Sequence, residues 1–71
     1  MIEDQKMDNM YEYMKDKAKE VILEARLATI EYITEYEDGY IAIGNNEGYG
    51  KEIYYIWLDE EYGWSWHQLQ V

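Results

Sequence analysis

Cysteine and phenylalanine are both absent from this 71-residue chain. Without cysteine there is no disulfide staple and no thiolate for a metal site. That usage fits a reducing, cytoplasmic compartment. Without phenylalanine, bulk in a core has to come from tyrosine and tryptophan. No run of about 18 apolar residues occurs, so no membrane span is expected. The opening Met1-Ile2-Glu3-Asp4 is acidic and polar, the opposite of a secretory signal. Cations are scarce as well. Residues 28–71 hold nine carboxylates against Lys51 alone, a net of −8, whereas residues 1–27 hold seven acids against five bases.

Catalytic residue types are equally thin. His67 is the only histidine and Ser65 the only serine. Two apart on a strand, their side chains stand roughly 6.5–7 Å from each other, too far for a nucleophile to meet its base. Paired carboxylates do acid–base work only when a cleft splits their pKa values, and a chain this short is not expected to build one. Asp59-Glu60-Glu61 lacks the alternation and fixed glycine of a calcium loop. Gly44, Gly48 and Gly50 lack the Gly-Lys-Ser/Thr ending of a phosphate loop, and Glu47 and Glu52 would repel phosphate. The expectation is a protein that is not an enzyme and takes no cofactor or metal.

What is present is acid and aromatic surface. The formal net charge of −10 opposes direct contact with nucleic acid or anionic lipid. The chain is still 48% hydrophobic, enough apolar surface to fold rather than stay disordered. Its length gives one domain, 1–71, with a small core that benefits from close packing or a partner subunit.

Hydrophobic spacing predicts an amphipathic helix over residues 4–28. Met7, Met14, Val21 and Ala28 recur every seven residues, and Tyr11, Ala18 and Ala25 follow four later. Met10 and Ile22 widen the stripe. Glu12, Lys15, Asp16, Lys19 and Glu20 fall opposite, with Glu12–Lys15 and Asp16–Lys19 as i,i+3 pairs. Arg26 suits the negative end of the helix dipole. From Thr29 the period changes to two. Ile30, Tyr32, Thr34 and Tyr36 are then expected on one face, with Thr29, Glu31, Ile33, Glu35 and Glu37 on the other. Asp38-Gly39 signals a two-residue hairpin turn. Strands are expected at 29–37, 40–44, 51–58 and 64–69, with a loop over Asn45–Gly50 and an acidic turn over Asp59–Gly63. The fold class is α+β: one long N-terminal amphipathic helix packed on a three- to four-stranded antiparallel β-meander.

Two features then bear on function. Tyr32, Tyr36, Tyr55, Trp57, Trp64 and Trp66 are too many large rings for so small a core, and exposed Tyr and Trp anchor protein recognition. Carboxylates two apart on a strand sit roughly 6.5–7 Å from each other, comparable to neighbouring phosphates, so an acidic strand face would fit a groove built for DNA or RNA. The residues expected to bind a partner are Glu31, Glu35, Glu37, Asp38, Glu47, Tyr49, Glu52, Asp59, Glu60 and Glu61.

In size, charge and aromatic content the whole chain resembles the small acidic inhibitors of phages and mobile elements, including anti-CRISPR proteins and other DNA mimics. The resemblance implies a cytoplasmic inhibitor whose partner is a basic, nucleic-acid-binding enzyme such as a CRISPR nuclease. Gly39–Gly50, GYIAIGNNEGYG, is similar to a strand–glycine-loop–strand element of the SUKH immunity superfamily, whose domain is much longer. The alternatives are an assembly module that forms a homodimer through the helix, and a regulator that binds a transcription protein.

Overall fold

The computed structural model describes residues 2–48 and 50–70, with side chains described from Tyr13 onward. The fold is α+β, with one helix followed by four strands: α1 (Ile2–Ala25), β1 (Thr29–Tyr36), β2 (Gly39–Asn46), β3 (Gly50–Asp59) and β4 (Gly63–Leu69). The strands form one antiparallel sheet in the order β1-β2-β3-β4. Each connection is a hairpin, so every strand pairs with its neighbour in the chain.

Helix α1 covers one face of the sheet. Ala18 and Ile22 are buried with Leu27, Tyr40, Ala42, Tyr54 and Ile56, and Met14, Val21, Ile30, Ile33 and Trp64 pack around them. Positions 14, 18, 21 and 22 lie on one side of a helix of 3.6 residues per turn. The segregation is partial over residues 13–25, because Tyr13 and Leu23 are exposed. Met7, Met10, Tyr11 and the Glu12 half of its ion pair lie outside the described side chains. Asp16 and Lys19 do pair, at 4.0 Å.

The helix ends earlier than the spacing predicts. Its last residue is Ala25, and the amides of Arg26 and Leu27 both donate to the Ile22 carbonyl at 2.9 Å. Ala25 and Ala28, expected in the apolar stripe, are exposed. Leu27 takes the core position instead, and the Ala28 amide donates to the Asn45 carbonyl, which starts the sheet. Arg26 follows the last helical residue and reaches into the sheet. Its Nε donates to the Tyr54 hydroxyl at 3.0 Å.

Strand β1 departs from simple alternation. Ile30 pairs with Gly44 and Tyr32 with Ile43, so Glu31 is an extra residue in a β-bulge. One added residue exchanges the two faces of everything beyond it. Ile30 and Ile33 consequently both pack on the core, although alternation places them on opposite faces.

The first hairpin turns one residue sooner than Asp38-Gly39 implies. Tyr36 pairs with Gly39, leaving Glu37 and Asp38 as the turn. Glu37 takes a positive φ of 51°. Gly39 is held inside the sheet by crowding, since a Cβ there would lie 2.2 Å from the Ile56 carbonyl oxygen. Gly44 is likewise a mid-strand residue, with a hypothetical Cβ 2.0 Å from the Thr29 oxygen. The expected loop at 45–50 gives up Asn45, Asn46 and Gly50 to the strands, because Asn45 and Asn46 pair with Lys51 and Gly50.

Candidate partner-binding surface

Directly opposed residues in a sheet share a face, so the register sorts every strand residue. Tyr40 faces Ile56, Ala42 faces Tyr54 and Gly44 faces Glu52, all beneath the helix. Trp64 and Trp66 oppose Leu58 and Ile56 and so lie on that same side. The ring of Trp66 meets Tyr54 edge-on, with centroids 5.6 Å apart.

The other face has no helix over it. It carries Tyr32, Thr34 and Tyr36 from β1, Ile41 and Ile43 from β2, and Ile53, Tyr55 and Trp57 from β3. Tyr55 stacks on Trp57 with centroids 5.3 Å apart, and Tyr36 meets Tyr55 edge-on at 6.0 Å. Tyr32 and Tyr36 are 58% and 51% exposed, so these rings are presented outward rather than packed into the core.

The expected acidic residues fall into three groups. Glu35 at the end of β1, with Glu37 and Asp38 in the first turn, lies at one end of the sheet. Asp59, Glu60 and Glu61, in the turn between β3 and β4, lie at the same end, since alternate connections of a meander share an end. The two turns are about two strand spacings apart, roughly 10 Å. Two ion pairs occur among the described residues, Lys19–Asp16 and Lys51–Glu31, and neither involves these six carboxylates. A cleft of ≈ 210 Å³ lined by Met14, Glu35, Glu37, Asp38, Gly39 and Tyr40 opens beside the first turn.

Asp59 also has a structural duty. Its Oδ1 accepts from the amides of Tyr62 and Glu61, at 3.0 and 2.8 Å, and these bonds hold its pKa below the usual carboxylate range. The acidic turn is therefore organised by its first residue, which leaves Glu60 and Glu61 exposed.

Glu31 and Glu47 belong to the opposite end. Glu31 accepts from Asn45 Nδ2 at 2.9 Å and sits 3.4 Å from Lys51 Nζ, so its charge is answered locally. Glu47 is exposed. Tyr49 lies outside the described residues.

Glu52 is not a surface acid. It is buried on the helix side, where Tyr54 Oη donates to its Oε1 at 2.5 Å and Asn46 Nδ2 donates at 3.1 Å. These two bonds hold its pKa below the ordinary value against the opposing effect of burial, and Arg26 assists electrostatically. Burial and the Glu52 bond push the Tyr54 hydroxyl upward. Glu52 reads as an acid in a run of strand residues. Its position opposite Gly44, under the helix, is fixed only by the register.

The acidic ladder expected along β1 is also absent. The bulge takes Glu31 out of phase with Glu35, and Glu37 stands in the turn rather than on a strand face. The same carboxylates are gathered by topology instead, from two turns that are far apart in sequence.

No group of three or more metal-ligating side chains converges among the described residues. No helix there is long and apolar enough to cross a membrane. No protein-family model matches the chain, and neither a curated protein nor a solved structure is similar to it.

Proposed function

We propose that this chain is a small acidic inhibitor that binds the basic, nucleic-acid-binding surface of another protein, in the class of CRISPR nucleases, and blocks it by occlusion. The observation that carries this reading is the gathering of Glu35, Glu37, Asp38, Asp59, Glu60 and Glu61 at one end of the sheet, with no lysine or arginine in either turn. Such an end concentrates negative potential and steers a basic partner toward it. Further support comes from Glu37, a carboxylate kept at a positive φ that glycine or asparagine fits better. The helix is the scaffold in this reading, with Met14, Ala18, Val21 and Ile22 backing the sheet. Loss of the strand ladder favours occlusion and steering over residue-by-residue imitation of a phosphate backbone. Binding takes place in the cytoplasm, and the chain itself touches neither nucleic acid nor membrane.

The test is capture of basic nucleic-acid-binding proteins from a phage-host lysate at low salt, followed by cleavage assays with the captured nuclease. Glu35→Lys with Glu60→Lys should abolish both capture and inhibition. Binding should also fall steeply with salt. Retention through about 0.5 M salt, where screening acts within roughly 4 Å, would exclude an electrostatic mechanism.

A further inference from the structure

We infer that the uncovered sheet face is a self-association surface, on which a second copy of this chain packs face to face. The face is built from Tyr32, Tyr36, Ile43, Ile53, Tyr55 and Trp57. With β4, which adds Ser65, His67 and Leu69 along one margin, it is four strands wide at about 4.8 Å per strand and about seven residues long at ~3.3 Å, which projects to roughly 400 Å². The relief of the protruding rings adds to that, and two copies together reach the order of 1,000 Å² at which specific association begins.

Charge selects the occupant. Among the described residues, the charged side chains on this face are Lys51 and Asp59, with Glu31 beside Lys51. Lys51 and Glu31 answer each other at 3.4 Å, and Asp59 at the margin is engaged by two amides. A basic partner would find almost no countercharge between the rings, whereas a second copy brings a matching apolar surface. The arrangement of charge around the face also fixes how the copies lie. A two-fold axis along the strands would set the two six-carboxylate ends side by side. An axis across the strands sets each acidic end over the end of its partner where Glu31, Glu47 and Lys51 leave little net charge, and keeps the two acidic ends apart, so the second arrangement is selected. The product is a pair of sheets stacked about 10 Å apart with a helix on each outer face.

This surface is separate from the acidic end, and the two respond oppositely to salt. Apolar association is retained or strengthened by salt, while steering by carboxylates is lost. Sedimentation velocity over roughly 1–300 µM, a span suited to an interface of modest area, reads the outcome. Wild type should move from 8.6 kDa toward twice that mass, and should do so equally in about 0.5 M NaCl, where surface electrostatics are screened. Tyr32→Glu with Tyr36→Glu should be monomeric throughout. Both positions are more than half exposed, so the circular dichroism spectrum should remain that of the wild-type fold. Leu23→Glu, on the exposed side of the helix, should dimerise as wild type does. The proposal is overturned by a monomeric wild type, by dissociation in high salt, by a double variant that still dimerises, or by a dimer lost on Leu23→Glu. None of these results bears on whether the acidic end binds a basic protein.

Discussion

Glu37 and Glu52 are both carboxylates in a strand-rich segment, and only their surroundings separate them. Glu37 sits at φ 51°, a conformation that costs an L-residue about 1–2 kcal/mol. Glu37→Gly removes that cost and gives back part of it in chain entropy. The variant should be more stable by about 0.5–1 kcal/mol in urea titration, and an unchanged or lower midpoint would refute the strain. If the acidic end is the binding surface, the same variant should bind its target less well, so stability and affinity move apart. Glu52 makes a pH-dependent contribution. Hydrogen bonds from Tyr54 and then Asn46 depress its folded pKa below the unfolded value. Its stabilisation is therefore present above the unfolded pKa and disappears as pH falls through the folded one. Wild type should melt above Glu52→Gln at about pH 7, and the gap should close as pH falls from about 5 toward 3. A gap that persists unchanged at low pH would show that the ionised carboxylate is not what matters.

At the scale of elements, one helix followed by a meander of three to four strands was legible, because the apolar period changes from 3.6 to 2 at Thr29 and glycines punctuate the strands beyond it. The exchanges within elements were not. Nothing local marks Glu31 as a bulge, since its identity is compatible with a regular strand. Only the need to bury both Ile30 and Ile33 against the helix reveals it. Gly39 reads as a turn residue because glycine usually serves turns, and Gly44 as the last residue of a strand. Both are fixed by the close approach of a neighbouring backbone, which depends on pairing partners distant in sequence. The role of Glu52 was hidden for the same reason. The acidic stretches Glu35–Asp38 and Asp59–Glu61 are plain in the sequence, whereas their meeting at one end comes from the parity of a meander rather than from any spacing along the chain. The division of the rings was partly readable. Tyr32, Tyr36, Tyr55 and Trp57 exceed what the core can hold, but Tyr54, adjacent in sequence to Tyr55, is fully buried because alternation turns it toward Ile22 and Ile56.

For the molecule as a whole, the same six carboxylates that would attract a partner repel one another in its absence. The opposite end of the sheet holds Glu31 and Glu47, and Lys51 answers the first of them, so the repulsion is concentrated rather than spread over the surface. At low ionic strength the screening length is about 30 Å at 0.01 M, longer than the distance between the two turns; at 0.15 M it is about 8 Å, shorter than that distance. Stability should therefore increase with sodium chloride over this range and then level off. A relief of about 1 kcal/mol corresponds to roughly 4–8 °C in Tm for a domain of this size. Glu60→Gln with Glu61→Gln should raise Tm at about 0.01 M salt and flatten its dependence, since both side chains are exposed and neither pins the turn as Asp59 does. Calorimetry of the two proteins at low and moderate salt decides the matter. A wild-type Tm that ignores salt would mean that the carboxylates are too well solvated to repel, and would weaken the case that their field steers a partner. A Tm that rises with salt while target binding falls would locate both effects in one set of charges, held together against their own repulsion by the two hairpins that carry them.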